Sequence, residues 1–254
     1  MDDRLTDNEF WDRYWRTLRL PSTINGRFSF ERCLSKALLK RLKEINAFGR
    51  VLEIGAAPGK WLALLATSGS FTVSGIEYSD KGIEALKKNF EILGIVPDKL
   101  YFGDFLKLEP EADFDIVMSL GFIEHFDNPD EIIRLHLNWL KPGGVLVLGV
   151  PNFNGVHGFF QKLLDLSVLK AHNTRIMSLA YFQDLEKKLG ITPHSIEYLG
   201  SFEPSLPMSM KQLTFRSLFI KGILKMASYI RKIRFIDRIN NPWLSSYILA
   251  VYTK

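Results

Sequence analysis

The chain has 254 residues, 46% of them hydrophobic, with a single cysteine and no uninterrupted apolar run long enough to span a bilayer. That allows one α/β domain with a full core and excludes a disulfide scaffold or a transmembrane bundle. The formal net charge of +5 is uneven: Lys211 to Lys254 carries nine basic residues against Asp237 alone, so this tail is +8 and the remainder −3, a local feature and not the general basicity of a nucleic-acid binder. No apolar run follows a basic start, so nothing marks secretion, and a reducing cytoplasm is the expected compartment.

In chain order, Asp7 to Leu20 reads as a helix with Asp7 as N-cap and Phe10, Trp11, Tyr14 and Trp15 on or near one face, which must be covered by the domain or serve as a lid. Pro21 ends it. Phe28 to Ile45 is a second helix with Leu34, Leu38, Leu39 and Leu42 apolar. Val51, Leu52 and Ile54 form a buried parallel strand carrying Glu53, followed by the small-residue turn Gly55, Ala56, Ala57, Pro58, Gly59 and a helix over Lys60 to Thr67. Strand, turn and helix N-terminus make a nucleotide-type cradle, because so little side chain keeps a ligand off the backbone. A dinucleotide fingerprint would need Gly at Ala57 and at Lys60. An ATPase phosphate loop would need Ser or Thr where Trp61 stands and one more residue before Gly59.

Phe71 to Ile76 is the second strand, ending in Glu77 with Tyr78 beside it; an acid there, about twenty residues past the turn, can accept hydrogen bonds from both ribose hydroxyls of an adenosine. A helix then starts at Tyr78, Ser79 and Asp80 and runs through Phe90. Lys99 to Phe102 is a short third strand before Gly103, Asp104 and Phe105. Phe114 to Ser119 is the fourth, followed by Leu120, Gly121, Phe122, Ile123, Glu124 and His125. Asn128 caps a helix through Trp139, and Val145 to Val150 is the fifth strand. An insertion with a helix over Phe159 to Leu169, a helix over Ser178 to Leu189, a sixth strand over His194 to Phe202 and a seventh over Ser245 to Tyr252 complete the chain. Between the last two strands, Phe215 to Phe235 is a basic amphipathic helix: Phe215, Leu218, Phe219, Ile223, Met226, Ile230 and Ile233 share one face and Lys221, Lys225 and Lys232 the other. It is either a cap packed on the domain or a lid touching a membrane surface or a lipid-like substrate.

The acid and alternating small residues of Glu53 to Gly59 resemble the first motif of class I S-adenosyl-L-methionine (SAM) dependent methyltransferases, and the string from Arg50 to Pro151 follows that family. The resemblance implies a seven-stranded, mostly parallel, doubly wound Rossmann-like sheet with an antiparallel last strand, plus N-terminal helices and helical cap insertions. It implies one domain overall: N-terminal helices (1–48), SAM-binding core (49–151), insertion (152–176), core continued (177–202), basic helical insertion (203–244) and last strand (245–254). SAM is then the cofactor and S-adenosylhomocysteine the product, held by Glu53, Gly55, Ala56, Ala57, Gly59, Glu77, Tyr78, Asp104, Phe105, Ser119 and Leu120, with Asp104 on the adenine amino group.

The loop from Ser119 to Phe126 resembles the Glu-His segment of small-molecule methyltransferases, including the ubiquinone-biosynthesis branch. It makes His125 a candidate base for a hydroxyl acceptor, with His172 as a later histidine of the same pocket. In that branch such a set also binds a divalent metal, but Gly121 stands where the fullest motif has an acid, so no metal is assigned. The expected acceptor is a small or lipid-like molecule, methylated at oxygen. The turn also resembles the first motif of a 23S-rRNA ribose methyltransferase family, yet the Asp that family needs after the fourth strand is missing; nucleic acid is not the expected partner. A non-catalytic SAM-binding subunit is the remaining alternative. The oligomeric state is not encoded in any motif.

Overall fold

The computed structural model describes residues 3–69, 71–207, 215–229 and 234–254. The β-branched runs form seven strands, β1 (Gly49–Ile54), β2 (Phe71–Glu77), β3 (Leu100–Phe102), β4 (Phe114–Leu120), β5 (Leu140–Pro151), β6 (Thr192–Leu199) and β7 (Tyr247–Thr253), in one sheet of order β3-β2-β1-β4-β5-β7-β6. β1 pairs in parallel with β2 on one side and β4 on the other, so the crossovers diverge there and a crevice opens past their carboxyl ends. β7 runs antiparallel to both of its neighbours, as expected of the last strand.

Helices α1 (Asn8–Trp15), α2 (Ser29–Glu44), α3 (Lys60–Thr67), α4 (Asp80–Leu93), α5 (Pro129–Trp139), α6 (Val156–Leu164), α7 (Leu166–Lys170), α8 (Leu179–Leu189) and α9 (Phe215–Ala227) accompany the sheet. Successive strand residues point to opposite faces, and each face has its own core. Val51, Ile116, Met118 and Val147 pack with Leu34 and Leu38 of α2, Leu62 and Leu65 of α3, and Leu86 and Phe90 of α4. Leu52, Ile54, Val117 and Leu146 pack on the other side with Ile132 and Ile133 of α5 and Phe182 and Leu185 of α8.

Several boundaries differ from the sequence expectation for local reasons. α1 stops at Trp15, well before Pro21. The helix expected over Phe159 to Leu169 divides at Asp165, whose carboxylate caps the second piece by accepting from Ser167 N at 3.0 Å. β5 begins at Leu140, and its register jumps from Phe114↔Leu140 to Ile116↔Val145, so Lys141 to Gly144 bulge outward. β6 ends at Leu199 instead of Phe202, where Gly200 turns the chain in a left-handed conformation at φ 68°. The helix expected to reach Phe235 ends at Ala227; Ile230, Lys232 and Ile233 lie outside the described residues, and Arg234–Arg238 form a 3-10 turn. Of the two readings of the apolar face of α9, a face packed throughout on the domain does not hold. Ile220 and Leu224 are buried, whereas Leu218, Phe219, Ile223 and Met226 are exposed.

Candidate cofactor and acceptor site

The turn after β1 needs glycine at two positions. Gly55 and Gly59 have φ of +72° and +85°, and a Cβ on Gly59 would lie 2.5 Å from Leu86 and 2.7 Å from Phe90. Gly59 is the N-cap of α3, so the turn presents backbone to the crevice at a helix N-terminus. At the end of β2 the buried Glu77 carboxylate ties this turn to the next one: it accepts from Ala57 N at 3.2 Å and from Tyr78 N and Ser79 N at 2.9 Å each. Burial pushes its carboxyl above the ordinary range, with these N–H groups acting the other way. Glu53 is buried more deeply and burial raises it well above that range; one of its oxygens, Oε2, has no partner among the described residues.

These groups line a cavity of about 300 Å³. On its cradle side are Glu53, Gly55, Ala56, Ala57, Glu77 and Tyr78; Leu120, Glu124, His125, His172 and Tyr247 line the other side, and Trp11, Tyr14 and Trp15 of α1 cover it. α1 is held there by Asp12, which accepts from Ser79 Oγ at 2.7 Å and Lys81 N at 3.1 Å at the start of α4; the Ser79 hydroxyl above all holds the Asp12 carboxyl below its ordinary value.

A second cavity of about 30 Å³ adjoins the first, with Glu77, Tyr78, Asp104, Phe105 and Phe122 around it. It has room for a water or two. The N-terminal segment closes it: Arg4 pairs with the Asp104 carboxylate, lies 5.3 Å from the Tyr78 ring centroid, and forms a β-bridge with Phe126, while Leu5 N donates to His125 O at 2.8 Å.

The two histidines meet on the side of the cavity opposite the cradle with ring centroids 4.5 Å apart. His125 Nδ1 lies 2.7 Å from Ala171 O and His172 Nδ1 lies 2.6 Å from Val168 O. A carbonyl only accepts, so Nδ1 carries the proton in both rings and each Nε2 keeps its lone pair. Burial keeps both rings below the usual histidine range, His125 well below it. Glu124 is fully buried with Oε2 unpartnered among the described residues, and burial raises its carboxyl to about 8. Ligand atoms of Glu124, His125 and His172 all lie within 4.8 Å of one another. Gly121 faces the same cluster: its added Cβ would stand 3.6 Å from Glu124 Oε1, which is where the acid of the fuller motif would enter.

Two expected cofactor residues stand apart from the cavities. Gly59 acts through backbone geometry. Ser119 is fully buried and its Oγ lies 3.0 Å from His136 Nε2, an arrangement that fixes α5 against β4 instead of presenting the hydroxyl to a ligand. Tyr247, Phe122, Lys60 and Arg4 line the site without having been singled out in the sequence. Lys60 pairs with Glu31 of α2 at 2.6 Å. Tyr247 arrives only through the β5–β7 register, which sets it opposite Pro151, and no local pattern announces it.

A family profile described as Methyltransferase domain matches residues 26–193. The chain is 27% identical over 165 residues to 27-O-demethylrifamycin SV methyltransferase of Amycolatopsis mediterranei (strain S699), covering 62% of this chain and 59% of that one. It is 26% identical over 108 residues to a ubiquinone biosynthesis O-methyltransferase of Neisseria meningitidis serogroup C (strain 053442), covering 41% and 45%. The chain thus spans about half the length of the curated relatives it matches. Among solved structures, a SAM dependent methyltransferase from Archaeoglobus fulgidus superposes with a TM-score of 0.54 at 20% identity, over 87% of this chain and 94% of that one, which concerns the fold alone.

Proposed function

The chain belongs to the class I SAM-dependent methyltransferases, and on that premise we propose that it methylates an oxygen of a small or lipid-like acceptor. SAM, when bound, supplies a methyl group already activated on a sulfonium, so what remains for the protein is alignment, exclusion of water and removal of one proton. The residues fit that cofactor. The backbone of Gly55 to Gly59 and the unpartnered Glu53 oxygen receive the methionine end, the Glu77 carboxylate accepts from the ribose hydroxyls, and Asp104 with Phe105 borders the adenine. Tyr78 and Leu120 complete that side.

The observation that carries the oxygen assignment is the pair of imidazoles whose Nδ1–H groups are tied to backbone carbonyls, leaving each Nε2 unprotonated in the cavity. A hydroxyl needs such a base because it is a poor nucleophile until its proton departs. His125 Nε2 takes the proton and His172 flanks the acceptor. The aromatic roof of α1 keeps the site dry and favours an acceptor with an apolar body.

The test is S-adenosylhomocysteine release with a panel of hydroxyl and amine acceptors that includes 27-O-demethylrifamycin SV. Turnover on hydroxyls, lowered about a hundredfold or more in His125→Gln and His172→Gln with unchanged S-adenosylhomocysteine affinity, is the expected result. Turnover on amines alone would overturn the oxygen assignment.

The convergence of Glu124, His125 and His172 favours a second reading in which these three hold a divalent ion. Two imidazoles and one carboxylate suit a transition ion better than magnesium, which prefers oxygen ligands. Such an ion would supply Lewis acidity toward the acceptor oxygen. Full activity after exhaustive chelation ends this reading, and loss of activity restored by zinc, manganese or iron supports it.

A further inference from the structure

α9 buries only a narrow strip of itself. Ile220 and Leu224 pack against Leu164, with Phe160 and Leu163 of α6 alongside. At about 100° per residue, Leu218, Phe219, Ile223 and Met226 fill the adjoining arc of the helix, and they are 53%, 64%, 39% and 75% exposed. Lys221 and Lys225, also exposed, border that arc on its far side. Phe159 on α6, Phe235 and Ile239 around the 3-10 turn, and Trp243 before β7 are exposed as well. Val156 N donates to Trp243 O at 2.9 Å, which holds Trp243 at the start of α6. Phe159, Trp243 and the exposed arc of α9 are thus carried on α6 or tied to it and form one cap, whereas Phe235 and Ile239 flank Asp237, which is bound to α2. Single exposed apolar residues are ordinary, but a grouping of this size on one cap marks a contact surface.

Charge says what kind of contact. Lys162 on α6, Lys170 on α7, and Lys221 and Lys225 on α9 are exposed there, while the acid of the same stretch, Asp165, is buried and caps α7. A second copy of the chain would bring like charges together with no acids to meet them. An anionic lipid surface accepts both features, since Phe, Ile, Met and Trp enter the acyl boundary and lysines reach the headgroups.

We propose that this cap, built from α6, α9 and Trp243, docks peripherally on anionic membranes. No described helix is long and apolar enough to cross a bilayer, so the contact is interfacial. The proposal goes beyond methyl transfer and holds whatever the acceptor is.

Co-sedimentation of the full chain with vesicles of phosphatidylcholine, and of phosphatidylcholine mixed with phosphatidylglycerol, tests it. The wild type pellets with the mixed vesicles and releases them at high salt. Lys221→Glu with Lys225→Glu weakens that binding on the order of thirtyfold or more, and Phe219→Asp with Met226→Asp abolishes it. All of these residues are exposed, so S-adenosylhomocysteine affinity stays at the wild-type value and reports that the variants fold. Absence of wild-type binding to the mixed vesicles, or binding unchanged in both double variants, overturns the proposal. So does a dimer in sedimentation velocity that Phe219→Asp with Met226→Asp dissociates, because the surface would then serve a second copy.

Discussion

Glu77 was legible in the sequence because its position follows from the fold: an acid at the carboxyl end of the strand next to β1 has only the crevice to face. In the structure its carboxylate braces two turns, through Ala57 N, Tyr78 N and Ser79 N, and its ribose contact belongs to the proposed reading. Glu77→Ala should therefore lose S-adenosylhomocysteine affinity on the order of a hundredfold, since hydrogen bonds to a charged group are worth about 1.5–3 kcal/mol each, and should also lower the unfolding midpoint in urea. Calorimetry and urea melts read the two effects separately. Tyr247 was not legible, because what brings it to the acceptor side is the pairing of strands distant in sequence. His136 was equally silent, and it carries a pH dependence. Burial lowers it to about 4 in the folded state, against an ordinary 6.5. The unfolded chain thus takes up a proton between those values while the folded chain does not. Its contribution is intact above pH 6.5 and is lost as pH falls toward 4, about 3 kcal/mol over that interval. Urea melts across this range should show the slope, and His136→Gln should remove that share of it whatever it does at neutral pH. A slope unchanged in the variant would sink the assignment.

Among the elements, α1 shows how far periodicity reaches. Asp7 as N-cap and the aromatic face were both readable, and Asp7 does accept from Phe10 N at 2.7 Å. A helix pattern says which side is apolar and not what lies against it; here Trp11, Tyr14 and Trp15 line the larger cavity. The strap preceding α1 carries no pattern, yet Arg4 pairs with the Asp104 carboxylate, the group assigned to the adenine in the proposed reading. Only about 30 Å³ is open beside Asp104, so on that reading the strap must shift before adenosine binds there. Arg4→Ala should speed S-adenosylhomocysteine association in stopped-flow fluorescence about fivefold, the equivalent of a partly buried ion pair worth about 1 kcal/mol. An unchanged or slower association rate would show that the strap does not gate entry. α9 shows the converse limit: its amphipathic pattern was clear, but the choice of buried face depended on α6, a partner that periodicity cannot name.

At the scale of the whole molecule, the proposed cofactor side draws mainly on the contiguous stretch from β1 to β4, with the N-terminal strap closing it, while the proposed acceptor side draws on α1, the loop after β4, the insertion after β5 and the start of β7. This division explains why the cofactor could be read and the acceptor could not. Short-range spacing encodes a turn between a strand and its own helix; it does not encode contacts between insertions. The two insertions meet where the chain leaves β5. Gly155 sits under the segment leading into β7, and a Cβ there would come within 2.2 Å of Trp243 O and 2.8 Å of Pro242 O. Both contacts are backbone, so Gly155→Ala must push the segments apart, at a cost of about 1–3 kcal/mol for an overpacked site. If cofactor and acceptor sides are separate in this way, the variant should lose that much stability in urea and lose turnover on any acceptor found. Its S-adenosylhomocysteine affinity at a temperature where it remains folded should match the wild type. A parallel loss of cofactor affinity would mean instead that the insertions brace the cradle itself, through the packing of Tyr247 beside Glu53 and Glu124 at the floor of the shared cavity.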